Sequence, residues 1–134
     1  MEDGNWTKIE NPPVDGSDED YYNKYATVFY NGNHYYFGGR GVGDLDSILQ
    51  LQEKTWTWSN FGQMTFPRSR GHEVILIGDT FMIIGGEGPS GPHIGMNNEA
   101  CMLNNDKFSC TELSSNLKMY RPFLFLVDDN YADC

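Results

Sequence analysis

Apolar residues in this chain come in short runs broken by polar or glycine-rich segments, and the runs recur in a fixed order. Two of them, 24–30 (KYATVFY) and 72–77 (HEVILI), are rich in the β-branched and aromatic residues that favour strands. Each is followed by a turn signal, Asn31–Gly32–Asn33 or Gly78–Asp79, and then by a second run ending in two glycines, HYYFGG (34–39) and FMIIGG (81–86). Asn-Gly and Gly-Asp between apolar runs predict tight two-strand hairpins. Beyond a loop, 47–52 (SILQLQ) and 99–103 (EACML) predict a third strand, and after another turn 55–61 and 107–113 predict a fourth. No window carries apolar periodicity of 3.6 over about ten residues, so helices are not expected. The chain reads as all-β, with four short antiparallel strands to a unit.

The units return in phase. Trp6, Trp58 and Cys110 are evenly spaced, with Ile9 and Pro12 after the first, Phe61, Met64, Pro67 and Arg68 after the second, and Leu113 after the third. A fixed period of this size means one supersecondary unit stacked on copies of itself. Four short antiparallel strands per period describe one blade of a β-propeller. A β-sandwich of two similar halves is the alternative, but it does not require the diglycine and the tryptophan to return in register.

The run GHEVILIGDTFMIIGG (71–86) and the junction WSNFGQMTFPRSRGH (58–72), with its Trp and M-x-x-P-R, together resemble the kelch repeat. The second unit departs from the pattern: Cys110 stands where the tryptophan should be, and no M-x-x-P-R follows it. The resemblance covers nearly the whole chain. It implies kelch-type blades of four antiparallel strands: the last strand of one blade at 5–10, full blades at 25–61 and 71–113, and the start of another at 122–134. At roughly 50 residues per blade, a six-bladed ring takes on the order of 300 residues, so the ring is incomplete here. Its raw edges call for the remaining blades or for self-association. The opening residues lack the basic and apolar regions of a signal peptide, and the repeat phase starts this sequence partway through a unit.

Eight Tyr, eight Phe, three Trp and fifteen Gly fit strands and tight turns. A net charge of −10 argues against nucleic-acid binding, which calls for a basic face, and suits solubility or a basic partner. No apolar run approaches the roughly 20 residues of a membrane-spanning helix. The three histidines, His34, His72 and His93, lack metal-ligand spacing, so no metal is expected. Nor does any nucleophile–base pair or cofactor motif suggest an enzyme.

Gly38, Gly39, Gly85 and Gly86 are read as structural, allowing close backbone approach and positive φ; no helix follows to make them a phosphate site. Trp58 is expected to pack between blades. The family's junction arginine corresponds to Arg68, which implies a tie from one blade to the next. Arg70 is expected in the 62–71 loop as a contact residue. That loop, with 11–23, 40–46, 87–98 and 114–122, should emerge on one face, which carries Arg40, Asp44, Arg70, His93 and Arg121 as binding candidates beside the acidic Asp15, Asp18, Glu19 and Asp20. Kelch-like propellers commonly bind proteins on this face, so the resemblance implies a protein–protein interaction module. The alternatives are part of a propeller enzyme such as a copper-dependent oxidase, and a structural component of an extracellular matrix.

If Asn105–Asp106 forms a two-residue turn, Cys101 faces Cys110 across the hairpin. The same reasoning with a Glu53–Lys54 turn has Leu49 facing Trp58, so one packed pair becomes a cysteine pair. That pair is either a disulfide, which an oxidising compartment would maintain, or two buried thiols. Asn5–Trp6–Thr7 is a glycosylation sequon at Asn5. Both features point to an extracellular or luminal setting, with the cytoplasm as the alternative.

Overall fold

A computed structural model of the chain describes residues 25–39, 46–88 and 97–114. These form two four-stranded antiparallel sheets, each with its strands in sequence order. Sheet 1 comprises β1 (Ala26–Tyr30), β2 (Asn33–Phe37), β3 (Ser47–Gln52) and β4 (Thr57–Gln63). Sheet 2 comprises β5 (Arg70–Ile77), β6 (Thr80–Glu87), β7 (Glu99–Asn104) and β8 (Lys107–Glu112). The described residues contain no helix.

Local chemistry sets the hairpins. Asn31 and Gly32 both adopt positive φ (47° and 77°), as do Asn105 and Asp106 (48° and 64°), which gives two-residue turns whose twist matches that of the strands. Asn104 therefore pairs with Lys107, and Cys101 with Cys110, as the sequence predicts. The β3–β4 turn differs. Glu and Lys do not readily take positive φ at two successive positions, and the connection widens to 53–56, with one left-handed residue, Trp56 (φ 53°), donating to the Gln52 carbonyl at 2.7 Å. Trp58 consequently pairs with Leu51, and Leu49 with Asn60, which corrects the expected Leu49–Trp58 pair. The fourth strand accordingly runs over Thr57–Gln63 rather than 55–61.

The core lies between the sheets. Tyr35 and Phe37 of sheet 1 meet Phe81 and Phe108 of sheet 2, with ring centroids 5.4–6.0 Å apart and mostly edge-to-face. Ala26, Ile48 and Met64 complete one side of this core, and Ile83 and Cys101 the other. Burying each such aromatic or large aliphatic side chain contributes roughly 1.5–3 kcal/mol.

Superposing the two units on their glycine pairs reveals how they stack. Gly38 and Gly39 (φ 64° and 112°) match Gly85 and Gly86 (φ 66° and 99°), so Tyr35 corresponds to Met82, and Tyr36 to Ile83. Tyr35 is buried while Met82 is only partly so; Ile83 is buried while Tyr36 is only partly so. Corresponding positions therefore face opposite ways with respect to the shared core. The sheets stack head to tail, the front of one on the back of the next, rather than front to front. In this register the row Phe29, His34, Leu51, Trp58 matches Leu76, Phe81, Cys101, Cys110. The cysteine pair thus occupies the place of Leu51 and Trp58.

Candidate functional site

Strand direction sorts the connections between the two ends of the sheets. The tight turns 31–32, 53–56, 78–79 and 105–106 lie at one end, and the wider connections, after β2, after β4 and after β6, leave from the other. Their bases are laced together. The amide of Gly39 donates to the Arg68 carbonyl at 2.9 Å, Met64 to Asp46 at 2.7 Å, Ser69 to Glu87 at 2.8 Å and Leu113 to Asn98 at 2.9 Å. These bonds join both sheets and the junction 64–69 into one rim.

Arg68 is the centre of that junction. Its guanidinium is wholly buried and donates to the Gly85 carbonyl at 2.6 Å, the Asn97 carbonyl at 2.6 Å and the Glu99 carboxylate at 2.8 Å. The second Glu99 oxygen accepts the Thr65 amide at 2.7 Å. Its side chain thus holds sheet 2 while its carbonyl holds sheet 1 through Gly39. Burial pulls the Arg68 pKa below its usual value, and the opposing charge of Glu99 offsets part of that. An isolated charge here would be costly, so the pair and its carbonyl acceptors are one unit.

His72 makes the second tie. Its Nε2 lies 2.6 Å from the Phe37 carbonyl of sheet 1, and because a carbonyl only accepts, Nε2 carries the proton. Burial pushes the imidazole pKa down to about 4, and the nearby Arg68 charge pushes the same way, against the hydrogen bond to Phe37. Gly38 is what lets the sheets come this close: a Cβ there would stand 2.7 Å from the Arg68 carbonyl oxygen and 3.1 Å from His72 Nε2. The Asn98 side chain caps the Gly85 amide at 3.0 Å.

The remaining expected residues divide clearly. Arg70 is not in a loop: it opens β5, pairs across the ladder with Glu87, and its guanidinium is ion-paired with the buried Glu87 carboxylate. Trp58 lies on the face of sheet 1 turned away from sheet 2, edge-on to Tyr36 at 4.9 Å, and so does not pack between these two sheets. Cys101 and Cys110 bring their sulfurs to disulfide distance, 2.00 Å, with Cα atoms 4.0 Å apart. Arg40, Asp44, His93, Arg121 and the Asn5 sequon lie outside the described residues.

Among the described residues, one cluster combines metal-ligating groups, Glu99 with Cys101 and Cys110, whose ligand atoms lie within 4.8 Å of one another. With the sulfurs joined and both carboxylate oxygens engaged by Arg68 and Thr65, its donors are already committed. Glu99 and Glu87 are the residues that inspection of the sequence misses. A strand-opening glutamate carries no signature, and only the burial of Arg68 shows that it needs a carboxylate. No protein-family model matches the chain, and no curated protein matches it.

Proposed function

We propose that the two sheets are consecutive blades of a kelch-type propeller, and that the chain is a protein-binding module whose partner is read by the connections at the laced rim. The observation that carries this reading is the sorting of wide connections to one end, with their bases tied by hydrogen bonds across both sheets. Loops anchored on a rigid β scaffold present side chains with little further loss of conformational freedom on binding, which favours recognition. Head-to-tail stacking supports the blade reading, since a two-fold sandwich would bring equivalent faces together. So does the match of Trp58 to Cys110, which occupy equivalent positions on equivalent faces of the two sheets. The polar residues of the junction, Arg68, Glu99 and His72, hold the scaffold in this reading and do not touch the partner. The Cys101–Cys110 pair supports a setting in an oxidising compartment, outside the cell or in a luminal space.

The test uses the binding candidates on the rim connections. The triple variant Arg40→Ala, Asp44→Ala, His93→Ala should melt as the wild type does and lose proteins that wild-type bait recovers by cross-linking from secretory fluid. Recovery of the same proteins in the same amounts would remove the rim from the recognition surface.

A further inference from the structure

Head-to-tail stacking leaves two outward faces that differ from each other, and each has a counterpart already buried inside the chain. In the diglycine register, Val28, Tyr30, Tyr35 and Phe37 match Ile75, Ile77, Met82 and Ile84. The first set packs in the core between the sheets. The second forms the outward face of sheet 2, where Ile75, Met82 and Ala100 make one cross-strand row and Ile77, Thr80 and Met102 the next. Ile77 is 55% exposed and Met102 49%. On the opposite outer face, that of sheet 1, Phe29 is 53% exposed with its ring 4.8 Å from His34. Phe29 matches Leu76, which packs against the core. Three of the four large exposed hydrophobics among the described residues thus belong to these two faces, and two of them, Phe29 and Ile77, match residues that pack at the internal interface.

We infer that the outward face of sheet 2 seats the outward face of sheet 1 from a second copy of this chain, repeating between molecules the stacking step that joins the two sheets within one. The step is heterologous: each copy offers one face of each kind, so association continues beyond a dimer unless the rotation closes a ring. Ile77 of one copy then occupies against His34 of the next the place that Tyr30 occupies against Phe81, ring centroids 5.3 Å apart. The interface does not involve the rim, so it stands or falls separately from partner recognition there.

Sedimentation velocity of the full chain from low to high micromolar concentration tests it. The wild type should progress from monomer to dimer and larger species. Two variants block one face each: Ile77→Lys with Met102→Lys, and Phe29→Lys. All three positions are exposed, so the variants should keep the wild-type circular dichroism and melt. Each variant alone should be monomeric, because its remaining good face has no counterpart. An equimolar mixture should give a dimer and nothing larger, since one productive pairing survives and both ends are capped. A face-to-itself contact would instead let one variant dimerise alone, and that outcome overturns the inference. A wild type that stays monomeric throughout overturns it as well, assigning the faces to another occupant.

Discussion

Arg68 and Glu99 illustrate how much of this fold rests on a few polar atoms. Both side chains are wholly buried, and each satisfies groups on a different element: Arg68 the Gly85 and Asn97 carbonyls, Glu99 the Thr65 amide. Removing one partner leaves an uncompensated buried charge, so Arg68→Ala should lower the free energy of unfolding by about 3–5 kcal/mol in urea titrations. Replacing both, Arg68→Met with Glu99→Leu, should recover part of that loss, because no lone charge remains and leucine is what sheet 1 carries at the matching position, Leu49. A double variant worse than Arg68→Ala would mean that the pair is not the unit described. His72 contributes in a pH-dependent way. Its folded pKa of about 4 lies below the unfolded value near 6.5, so between those limits the unfolded chain takes up a proton that the folded chain refuses. Stability from this group is complete above pH 6.5, declines as pH falls toward 4, and is constant below. The loss is roughly 3 kcal/mol. His72→Gln keeps an N–H donor for the Phe37 carbonyl but does not titrate, so its stability should fall less than the wild type's over that window. Parallel pH curves for the two proteins would contradict the assignment.

Among the elements, hairpin turns separate what the sequence makes readable from what it does not. Asn31–Gly32, Gly78–Asp79 and Asn105–Asp106 contain residues that tolerate positive φ, and each turn forms where those residues stand. Glu53–Lys54 carries no such chemistry, and the chain uses a longer turn that shifts the Trp58 partner by two residues. The third strand was legible over its full length, Ser47–Gln52, because a glycine- and aspartate-rich segment precedes it and the charged Glu53–Lys54 ends its apolar run. Arg70 was not, since a charged residue at the edge of a loop looks the same whether it faces solvent or a buried Glu87. The β7–β8 hairpin carries the Cys101–Cys110 link. Its sequence separation of 9 closes a short loop, worth about 2–3 kcal/mol through the unfolded state. Reductant should therefore lower the melting temperature of the wild type and leave that of Cys101→Ser with Cys110→Ser unchanged. Mass spectrometry of the oxidised protein should find one peptide bridged across the Asn104–Lys107 turn. An identical melt with and without reductant, and free alkylation of both thiols, would show that the pair is not bonded.

For the molecule as a whole, the diglycine repeat announces two similar units, but similarity does not say which faces meet. That information resides in exposure: Tyr35 and Phe37 are buried while their counterparts Met82 and Ile84 are only partly so, and the reverse holds for Ile83 against Tyr36. A sequence cannot show this, because the apolar character of both faces of each sheet is what a stacked unit requires on either side. The wide connections are likewise countable in the sequence, while their lacing depends on Arg68 presenting its carbonyl to one sheet and its guanidinium to the other. Which faces meet is readable from aromatic NOEs in solution. Head-to-tail stacking predicts cross-peaks from the Tyr35 ring to both Phe81 and Phe108, whose centroids lie 6.0 and 5.4 Å away, and from the Phe37 ring to the same pair. Cross-peaks from Phe81 and Phe108 to Tyr36 and the Trp58 indole in place of Tyr35 would put the other face of sheet 1 inside, and head-to-tail stacking would be wrong.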